Sequence, residues 1–174
     1  QSQVGLADKR LYAAEALLRW QHPVLGVVPA AELITIAEGC GLILDLDEWV
    51  LRAAVRQLRL WRQARLPPLR VTVNLSTVEF RQADLADLVG RILVQEELPP
   101  RFLELEIREH MLMGQPSAAL ATVDSLRALG VRLSIDGFGS GRSSLGCLRR
   151  LRVHQLKIDR SLVAGVVTDT DDAT

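Results

Sequence analysis

The sequence predicts an α/β fold in which parallel β-strands alternate with α-helices. Short apolar runs recur between longer amphipathic segments, and Pro or Gly residues separate the two kinds of segment. The amphipathic segments are long enough to act as crossover connections between parallel strands. Four of the strand-like runs also end in an oxygen-bearing side chain, so several polar groups are expected at one edge of the sheet.

Each predicted strand except the last is followed by a segment with helical signals. The predicted strands are Leu11–Trp20, Arg70–Leu75, Phe102–Ile107, Val131–Ile135 and Val153–Ile158. The predicted helices run from Pro29 to Gly39 or Gly41, from about Asp45 to Ala64, from Leu85 to Glu97, from Ser117 to Leu129, and from Ser144 to about Leu151. Proline at helix starts and glycine beyond helix ends support these bounds. Right-handed crossovers place the helices outside the sheet.

The positions of four side chains distinguish two arrangements of this sheet. They are Glu15, Asn74, Glu106 and Asp136. A closed (β/α)₈ barrel builds its site from the carboxyl ends of several strands, whereas an open doubly wound sheet gathers its ligand at one switch point. Contributions from four separate strands favour the barrel, and the open sheet is the alternative.

Three carboxylates and one amide form a donor set that suits a hard cation such as Mg²⁺ or Mn²⁺. Each residue also has a simpler interpretation. Glu15 is a surface residue beside Arg19, Asn74 caps the next turn, and Asp136 opens a Gly/Ser turn. Glu106 belongs to an edge strand with one wet face in that interpretation.

Two further residues bear on the same site. Alternation along the strand puts Glu104 on the face of Glu106, which is costly unless a cation compensates the pair. Lys157 ends an apolar strand, where it could steady a phosphate or an activated water. The simpler interpretation of Lys157 is an extended side chain paired with Asp159.

Composition indicates one globular domain with no global attraction to nucleic acid or membrane. Of 174 residues, 48% are hydrophobic and 24% are charged, and 21 basic residues balance 21 acidic ones. No apolar run approaches the roughly 20 residues of a membrane-spanning helix. Cys40 and Cys147 lack metal-ligand spacing and do not form a disulfide framework. Without a signal peptide, a cytoplasmic location is expected.

Six segments carry a family resemblance that extends along the whole chain. They are Glu15-Ala16-Leu17-Leu18-Arg19-Trp20, Gly26-Val27-Val28-Pro29, Val73-Asn74-Leu75-Ser76, Leu105-Glu106-Ile107-Arg108-Glu109, Asp136-Gly137-Phe138-Gly139-Ser140-Gly141 and Leu156-Lys157-Ile158-Asp159-Arg160-Ser161. In these segments the sequence closely resembles the EAL domain family of bacterial cyclic di-GMP phosphodiesterases. The resemblance implies a modified TIM barrel with one antiparallel strand, in which two Mg²⁺ or Mn²⁺ ions activate water and cyclic di-GMP is opened to pGpG.

The resemblance also implies roles for individual residues. By position, Glu15, Asn74, Glu106 and Asp136 match the ligands of the first metal, and Lys157 matches the lysine near the attacking water. Leu17 and Arg19 match positions that contact the dinucleotide. Glu109 matches the glutamate that braces the loop after Asp136. The family further implies a homodimer and fusion to other signalling domains.

Two departures from the family pattern suggest impaired catalysis. Gly137 stands where the family has a second aspartate that helps to bind the second metal. The chain ends after about six of the eight expected strands, which suggests that residues 1–174 are one EAL-type domain without its C-terminal portion. One metal site is therefore expected to be intact. The alternatives are an impaired phosphodiesterase, a non-catalytic cyclic di-GMP receptor or protein-interaction module, and a scaffold that binds neither metal nor nucleotide.

Overall fold

The computed structural model describes residues 1–112, 116–139 and 151–164, which form a curled six-stranded sheet with helices packed against it. The strands are β1 (Ser2–Val4), β2 (Leu11–Ala16), β3 (Trp20–His22), β4 (Gly26–Val28), β5 (Arg70–Asn74), β6 (Leu103–Arg108), β7 (Arg132–Phe138) and β8 (Gln155–Ile158). The helices are α1 (Ala30–Gly39), α2 (Ile43–Gln63), α3 (Thr77–Phe80), α4 (Leu85–Gln95), α5 (Pro116–Ala128) and α6 (Arg160–Ala164), with 3₁₀ turns at Pro100–Phe102 and Glu109–Leu112.

The strand order of the large sheet is β1-β2-β5-β6-β7-β8. Strand β1 runs antiparallel to β2, and each later neighbour in the sheet is parallel. Strands β3 and β4 form a separate antiparallel pair. This curled sheet of six strands confirms the predicted α/β fold of the TIM-like, EAL type, including its single antiparallel strand.

Strand β6 lies between β5 and β7 in the sheet, and the residues on both of its faces are buried. Leu103, Leu105 and Ile107 are fully buried in the core that the helices cover. Full burial of one such side chain contributes about 1.5–3 kcal/mol to folding. The alternating residues Glu104 and Glu106 are 1% and 2% exposed and lie on the opposite face. The interpretation of this segment as an edge strand with a wet face is therefore wrong.

Several predicted boundaries differ from the structure. The strand expected at Leu11–Trp20 ends at Ala16, because the chain turns and Trp20–His22 pairs with Gly26–Val28 instead. The residue pattern did not place strand β1, which only the family resemblance implied, and the short helices α3 and α6 were not predicted. Most of the helix expected from Ser144 to about Leu151 lies outside the described residues.

Strand β7 continues past its predicted end at Ile135 and carries Asp136 within it. The register between β7 and β8 shifts between Ile135 and Phe138. Gly137 lies at this irregularity with φ of +68°, a left-handed conformation that glycine adopts without steric cost. A residue with a Cβ would adopt this conformation only at an energetic cost.

The boundary between core and solvent runs along the long helix α2. Trp49 lies on the solvent side of this boundary and is 61% exposed. Leu51, Val55 and Leu58 supply the buried face of α2, and Trp61 packs at the margin of the core. Within the described ranges, no helix is both long and apolar enough to cross a membrane.

Candidate functional site

The candidate site lies at the carboxyl ends of five neighbouring strands. Strands β2, β5, β6, β7 and β8 carry, respectively, Glu15, Asn74, Glu106, Asp136 and Lys157. Asn74 is directly opposite Glu106 in the sheet, and Asp136 lies two residues beyond the position opposite Glu106. Because the carboxyl ends of parallel strands meet at one edge, side chains that are distant in sequence become neighbours here. These five residues are called the acidic layer below.

Four members of the acidic layer form one network of contacts. The Asn74 amide nitrogen Nδ2 donates to Glu15 Oε1 at 3.0 Å, and Lys157 Nζ donates to Glu15 Oε2 at 3.2 Å. Lys157 Nζ also forms an ion pair with Glu106 Oε2. A single ammonium group therefore joins two carboxylates from strands that are not adjacent.

The simpler interpretations of these residues do not match the contacts. The Glu15 side chain is only 17% exposed and does not behave as a surface residue. Ser76, and not Asn74, caps the following helix. Lys157 pairs with Glu15 and Glu106, while Asp159 accepts hydrogen bonds from Ser161 at 2.8 and 2.6 Å.

Burial and charge act in opposite directions on the two partners of the central ion pair. Burial raises the pKa of Glu106 to about 7; Lys157 opposes the rise, and the nearby charges of Glu15 and Asp136 add to it. Burial alone lowers the pKa of Lys157, but Glu106 and Glu15 outweigh burial and raise that pKa overall. The layer thus contains three carboxylates that act on one another electrostatically and one ammonium that offsets them.

Asp136 and Glu109 lie on the side of the site next to the Gly-rich segment. Asp136 is partly exposed and influences Glu106 through its charge. Glu109 is 5% exposed, and its Oε2 accepts a hydrogen bond from the Gly139 backbone N–H at 2.9 Å. Gly139 has φ of +96°, and a Cβ placed there would lie 2.1 Å from Leu162 Cδ1. Glu109 is therefore in contact with the segment that follows Asp136.

Leu17 and Arg19 lie in the connection between β2 and β3 and not in a strand. The Leu17 side chain is 39% exposed, and Arg19 is exposed. Arg19 Nη1 donates to the Leu18 carbonyl at 2.7 Å. Both residues follow Glu15 closely in the chain and are accessible to solvent.

A second charged group lies below the acidic layer on the same face of the sheet. Glu104 Oε2 is 3.2 Å from Arg132 Nε and 3.7 Å from Arg70 Nε. Arg70 also lies over the ring of Tyr12 at 5.1 Å. The sequence predicted that a buried pair of glutamates needs positive charge nearby. Arg70 and Arg132 supply it for Glu104, and Lys157 supplies it for Glu106. Arg70, Glu104 and Arg132 are called the basic layer below.

The donor set of the acidic layer fits a divalent cation in chemistry. Three carboxylates and an amide oxygen are ligands that Mg²⁺ and Mn²⁺ accept, and the layer has three negative charges against one positive charge. In the described part of the chain, however, no three His, Cys, Asp or Glu side chains are already arranged to hold a metal.

A third group of acidic side chains was not predicted from the sequence. Ser76 Oγ donates to Asp47 Oδ2 at 2.5 Å and accepts from the Glu79 backbone N–H at 3.0 Å. Glu79 is 3% exposed. The signal was present in the sequence, because Ser76-Thr77-Val78-Glu79 matches the spacing of a helix-capping box.

Comparison with known proteins places this geometry in context. The family model described as "EAL domain" matches residues 1–174. The bifunctional diguanylate cyclase/cyclic di-GMP phosphodiesterase MucR of Pseudomonas aeruginosa is 42% identical over 163 residues, which are 94% of this chain and 24% of MucR. The cyclic di-GMP phosphodiesterase NbdA of the same organism is 43% identical over 169 residues, 97% of this chain and 22% of NbdA.

Solved structures give the same relationship. A structure described as "PaMucR Phosphodiesterase, c-di-GMP complex" superimposes with a TM-score of 0.92 at 40% identity and covers 99% of this chain and 70% of its own. The FimX EAL domain from Pseudomonas aeruginosa bound to c-di-GMP gives 0.82 at 26% identity, over 92% of this chain and 63% of its own. The chain spans about a quarter of the length of the curated relatives it matches.

Proposed function

This chain belongs to the EAL domain family, and on that basis we propose that it binds cyclic di-GMP together with a divalent cation at the acidic layer. The observation that carries the proposal is the contact network of Glu15, Asn74, Glu106 and Lys157 at the carboxyl edge of the sheet. Structural neighbours of this chain were solved with c-di-GMP bound. The same edge of the fold is where an α/β barrel presents its ligand.

In this proposal each residue has a distinct task. Glu15, Asn74, Glu106 and Asp136 hold Mg²⁺ or Mn²⁺ through oxygen atoms. When bound, such a cation lowers the pKa of a coordinated water and polarises a phosphate oxygen. Lys157 forms ion pairs with Glu15 and Glu106, and in this proposal it lies near the water that attacks the phosphate. Leu17 and Arg19 contact the dinucleotide, and Glu109 holds the Gly139 segment against the site.

We infer that hydrolysis to pGpG by this chain is impaired. Two-metal hydrolysis uses one cation to activate water and another to stabilise the leaving oxygen. Gly137 offers no carboxylate where the family motif has its second aspartate. Loss of a metal ligand is expected to raise the barrier by several kcal/mol. At about 1.4 kcal/mol per tenfold change in rate, this lowers the rate by orders of magnitude.

The second candidate function is a non-catalytic receptor for cyclic di-GMP or a protein-interaction module. Gly137 favours this candidate, because the residue lies inside the chain and next to Asp136. The intact set of first-metal residues favours the enzyme, since a receptor has less need of them. A scaffold that binds neither metal nor nucleotide is the weakest alternative.

The setting of the domain is also a proposal. Relatives such as MucR contain far more chain than this match covers, and their names describe signalling enzymes. We expect this chain to act next to other signalling domains, as a homodimer and in the cytoplasm. Size-exclusion chromatography with light scattering at several protein concentrations tests the dimer.

One experiment separates the candidate functions. Calorimetric titration with cyclic di-GMP in Mn²⁺ and in EDTA measures binding, and chromatography of the same samples measures pGpG. Binding that requires Mn²⁺, with turnover far below that of the MucR phosphodiesterase run alongside, supports the proposal. Turnover equal to that enzyme refutes the inferred impairment. Absence of both binding and turnover refutes the proposed function and leaves the scaffold.

A further inference from the structure

The turn that follows β5 is held from outside the sheet by a side chain of α2. Asp47 lies in the second turn of α2, and its Oδ2 accepts a hydrogen bond of 2.5 Å from Ser76 Oγ. The same hydroxyl accepts the Glu79 backbone N–H at 3.0 Å and so forms the N-cap of α3. Ser76 thus uses its one proton toward α2 and a lone pair toward α3.

This anchored turn begins directly after Asn74. The Leu75 backbone N–H donates to the Glu106 carbonyl at 3.0 Å, and the Asn74 side chain donates to Glu15 at 3.0 Å. Asn74 is the last residue of β5, and Ser76, two residues later in the chain, is the residue that contacts α2. The chain directly after Asn74 is therefore held by two hydrogen bonds, one from the Leu75 backbone to the sheet and one from the Ser76 side chain to α2.

The acidic side chains around Ser76 are unfavourable for stability. Their presence is better explained if they position the turn after β5. Glu79 is 3% exposed, and its Oε1 has no hydrogen-bond partner among the described residues. Burial and the charges of Asp47 and Glu48 raise the pKa of Glu79 to about 8. Burial likewise raises the pKa of Asp47, a rise that the Ser76 hydrogen bond opposes and the Glu38 charge increases. Packing alone does not favour a buried glutamate beside the carboxylate of Asp47.

We propose that Asp47 is a positioning residue for Asn74, acting through the Ser76 hydroxyl. The consequence for cation binding rests on the proposed function, whereas the effect on the Asn74 side chain does not. Removal of the Asp47 carboxylate releases Ser76 and loosens the first turn of α3. The Asn74 amide then samples directions that do not meet Glu15. Partners that hydrogen-bond a metal ligand directly change metal affinity about 10- to 100-fold, and because Asp47 acts through Ser76 we expect the lower end of this range, about tenfold.

The test uses Asp47→Ala with Asp45→Ala as the matched control. Asp45 is an exposed acid in the first turn of the same helix, so its loss reproduces the change in helix charge without the Ser76 contact. Mn²⁺ affinity is measured by calorimetry, and the Asn74 side-chain NH₂ signals are followed by ¹H–¹⁵N NMR in EDTA. We expect Asp47→Ala to weaken Mn²⁺ binding about tenfold and to shift the Asn74 signals, while Asp45→Ala leaves both unchanged.

Variants of Ser76 complete the test. Ser76→Ala is expected to reproduce Asp47→Ala, and Ser76→Thr, which retains the hydroxyl, is expected to restore affinity to within about threefold of wild type. A merely structural role would not predict this rescue. Should Asp47→Ala fail to fold, Asp47→Asn is used, and we expect a smaller change in the same direction.

The outcomes distinguish this inference from the proposed function. If wild-type protein binds no Mn²⁺ but Asp47→Ala shifts the Asn74 signals, the proposed function is wrong and the positioning role stands. If wild type binds Mn²⁺ and Asp47→Ala changes neither affinity nor the Asn74 signals, the positioning role is wrong. Equal effects of Asp45→Ala and Asp47→Ala also overturn it, because helix charge then explains the result.

Discussion

The basic layer and the acidic layer occupy the same face of one sheet, yet they balance charge in opposite ways. In the basic layer two arginines flank one buried glutamate, Glu104. In the acidic layer three carboxylates share one ammonium, Lys157. The two central glutamates lie two residues apart on β6 and are equally buried. Their difference is therefore not depth in the protein but the number of cations around them.

This comparison separates a structural ion cluster from a site that can accept a ligand. Glu104 has its compensating charges within the protein, so nothing further is required there. The acidic layer has three carboxyl groups and one ammonium, so ionisation of all three carboxyls leaves an excess of two negative charges, which one divalent cation would offset. A buried excess of one sign raises free energy unless a counter-ion binds or a proton is taken up. The acidic layer consequently has a reason to bind a cation that the basic layer lacks.

The largest expected effect is the loss of Mn²⁺ binding in Glu106→Gln. This change removes one carboxylate from the acidic layer and retains its shape, so we expect at least a 100-fold lower affinity, or about 2.7 kcal/mol. Because burial already raises the pKa of Glu106 to about 7, the neutral side chain should alter metal-free stability by less than about 1 kcal/mol. Calorimetry and urea unfolding in EDTA measure the two quantities. Unchanged Mn²⁺ affinity would remove Glu106 from the site.

The reciprocal change, Glu104→Gln, should affect stability and leave metal binding intact. It leaves Arg70 and Arg132 beside each other without a counter-charge, and each side chain is about one-quarter exposed. Removal of one partner from a fully buried pair costs about 3–5 kcal/mol, so partial exposure reduces the expected loss to about 2 kcal/mol. Urea unfolding in EDTA measures this loss. Mn²⁺ affinity should stay within threefold, and a larger change would show that the two layers are coupled.

The sequence was sufficient to predict the fold class and the strand ends that meet. Alternation of strand and helix patterns indicated the parallel sheet, and polar residues after apolar runs indicated its functional edge. The antiparallel β1 was anticipated only through the family resemblance, because Ser2–Val4 is too short to give a periodic signal. The pair β3–β4 was missed since Trp20–His22 reads as a continuation of β2 until the turn is known.

The arrangement of charges inside the site could not be predicted from the sequence. Alternation along the strand predicts that Glu104 and Glu106 lie on the same face. It does not predict which basic side chains pair with each glutamate, because that depends on the order of the strands in the sheet. Arg70 and Lys157 are far apart in sequence and reach β6 from strands on opposite sides of it. The exposure of Trp49 does not follow from the sequence either, because helical periodicity does not define the edge of the buried face of α2 to within one residue.

Glu79 extends the comparison to a buried glutamate whose neighbouring charges are carboxylates. Its pKa in the folded protein is about 8, against 4.5 for an ordinary glutamate, so the folded state retains a proton that the unfolded chain releases. Stability should therefore fall as pH rises from about 4.5 through about 8. At about 1.4 kcal/mol per pH unit, we expect wild type to lose at least 1 kcal/mol between pH 5 and pH 8 relative to Glu79→Gln.

Urea unfolding of both proteins at several pH values measures that difference. Glu79→Gln keeps the shape of the side chain and cannot ionise, so its stability should depend less on pH. Glu32→Gln is the matched control, because Glu32 is an exposed glutamate in the first turn of α1 and does not contribute to the pKa shift of Glu79. Parallel curves for wild type and Glu79→Gln would mean that Glu79 does not retain its proton in the folded protein.

The smallest expected effect tests whether Gly137 limits catalysis. Gly137→Asp adds a carboxylate beside Asp136, at a backbone position whose φ of +68° costs an L-residue about 1 kcal/mol. We expect this modest loss of stability together with a severalfold increase in pGpG formation in Mn²⁺. Gly137→Asn is the matched control, since it fits the same backbone conformation and adds no charge. If Asp and Asn change turnover equally, the added carboxylate is not responsible, and the acidic layer alone does not account for the low rate inferred for this chain.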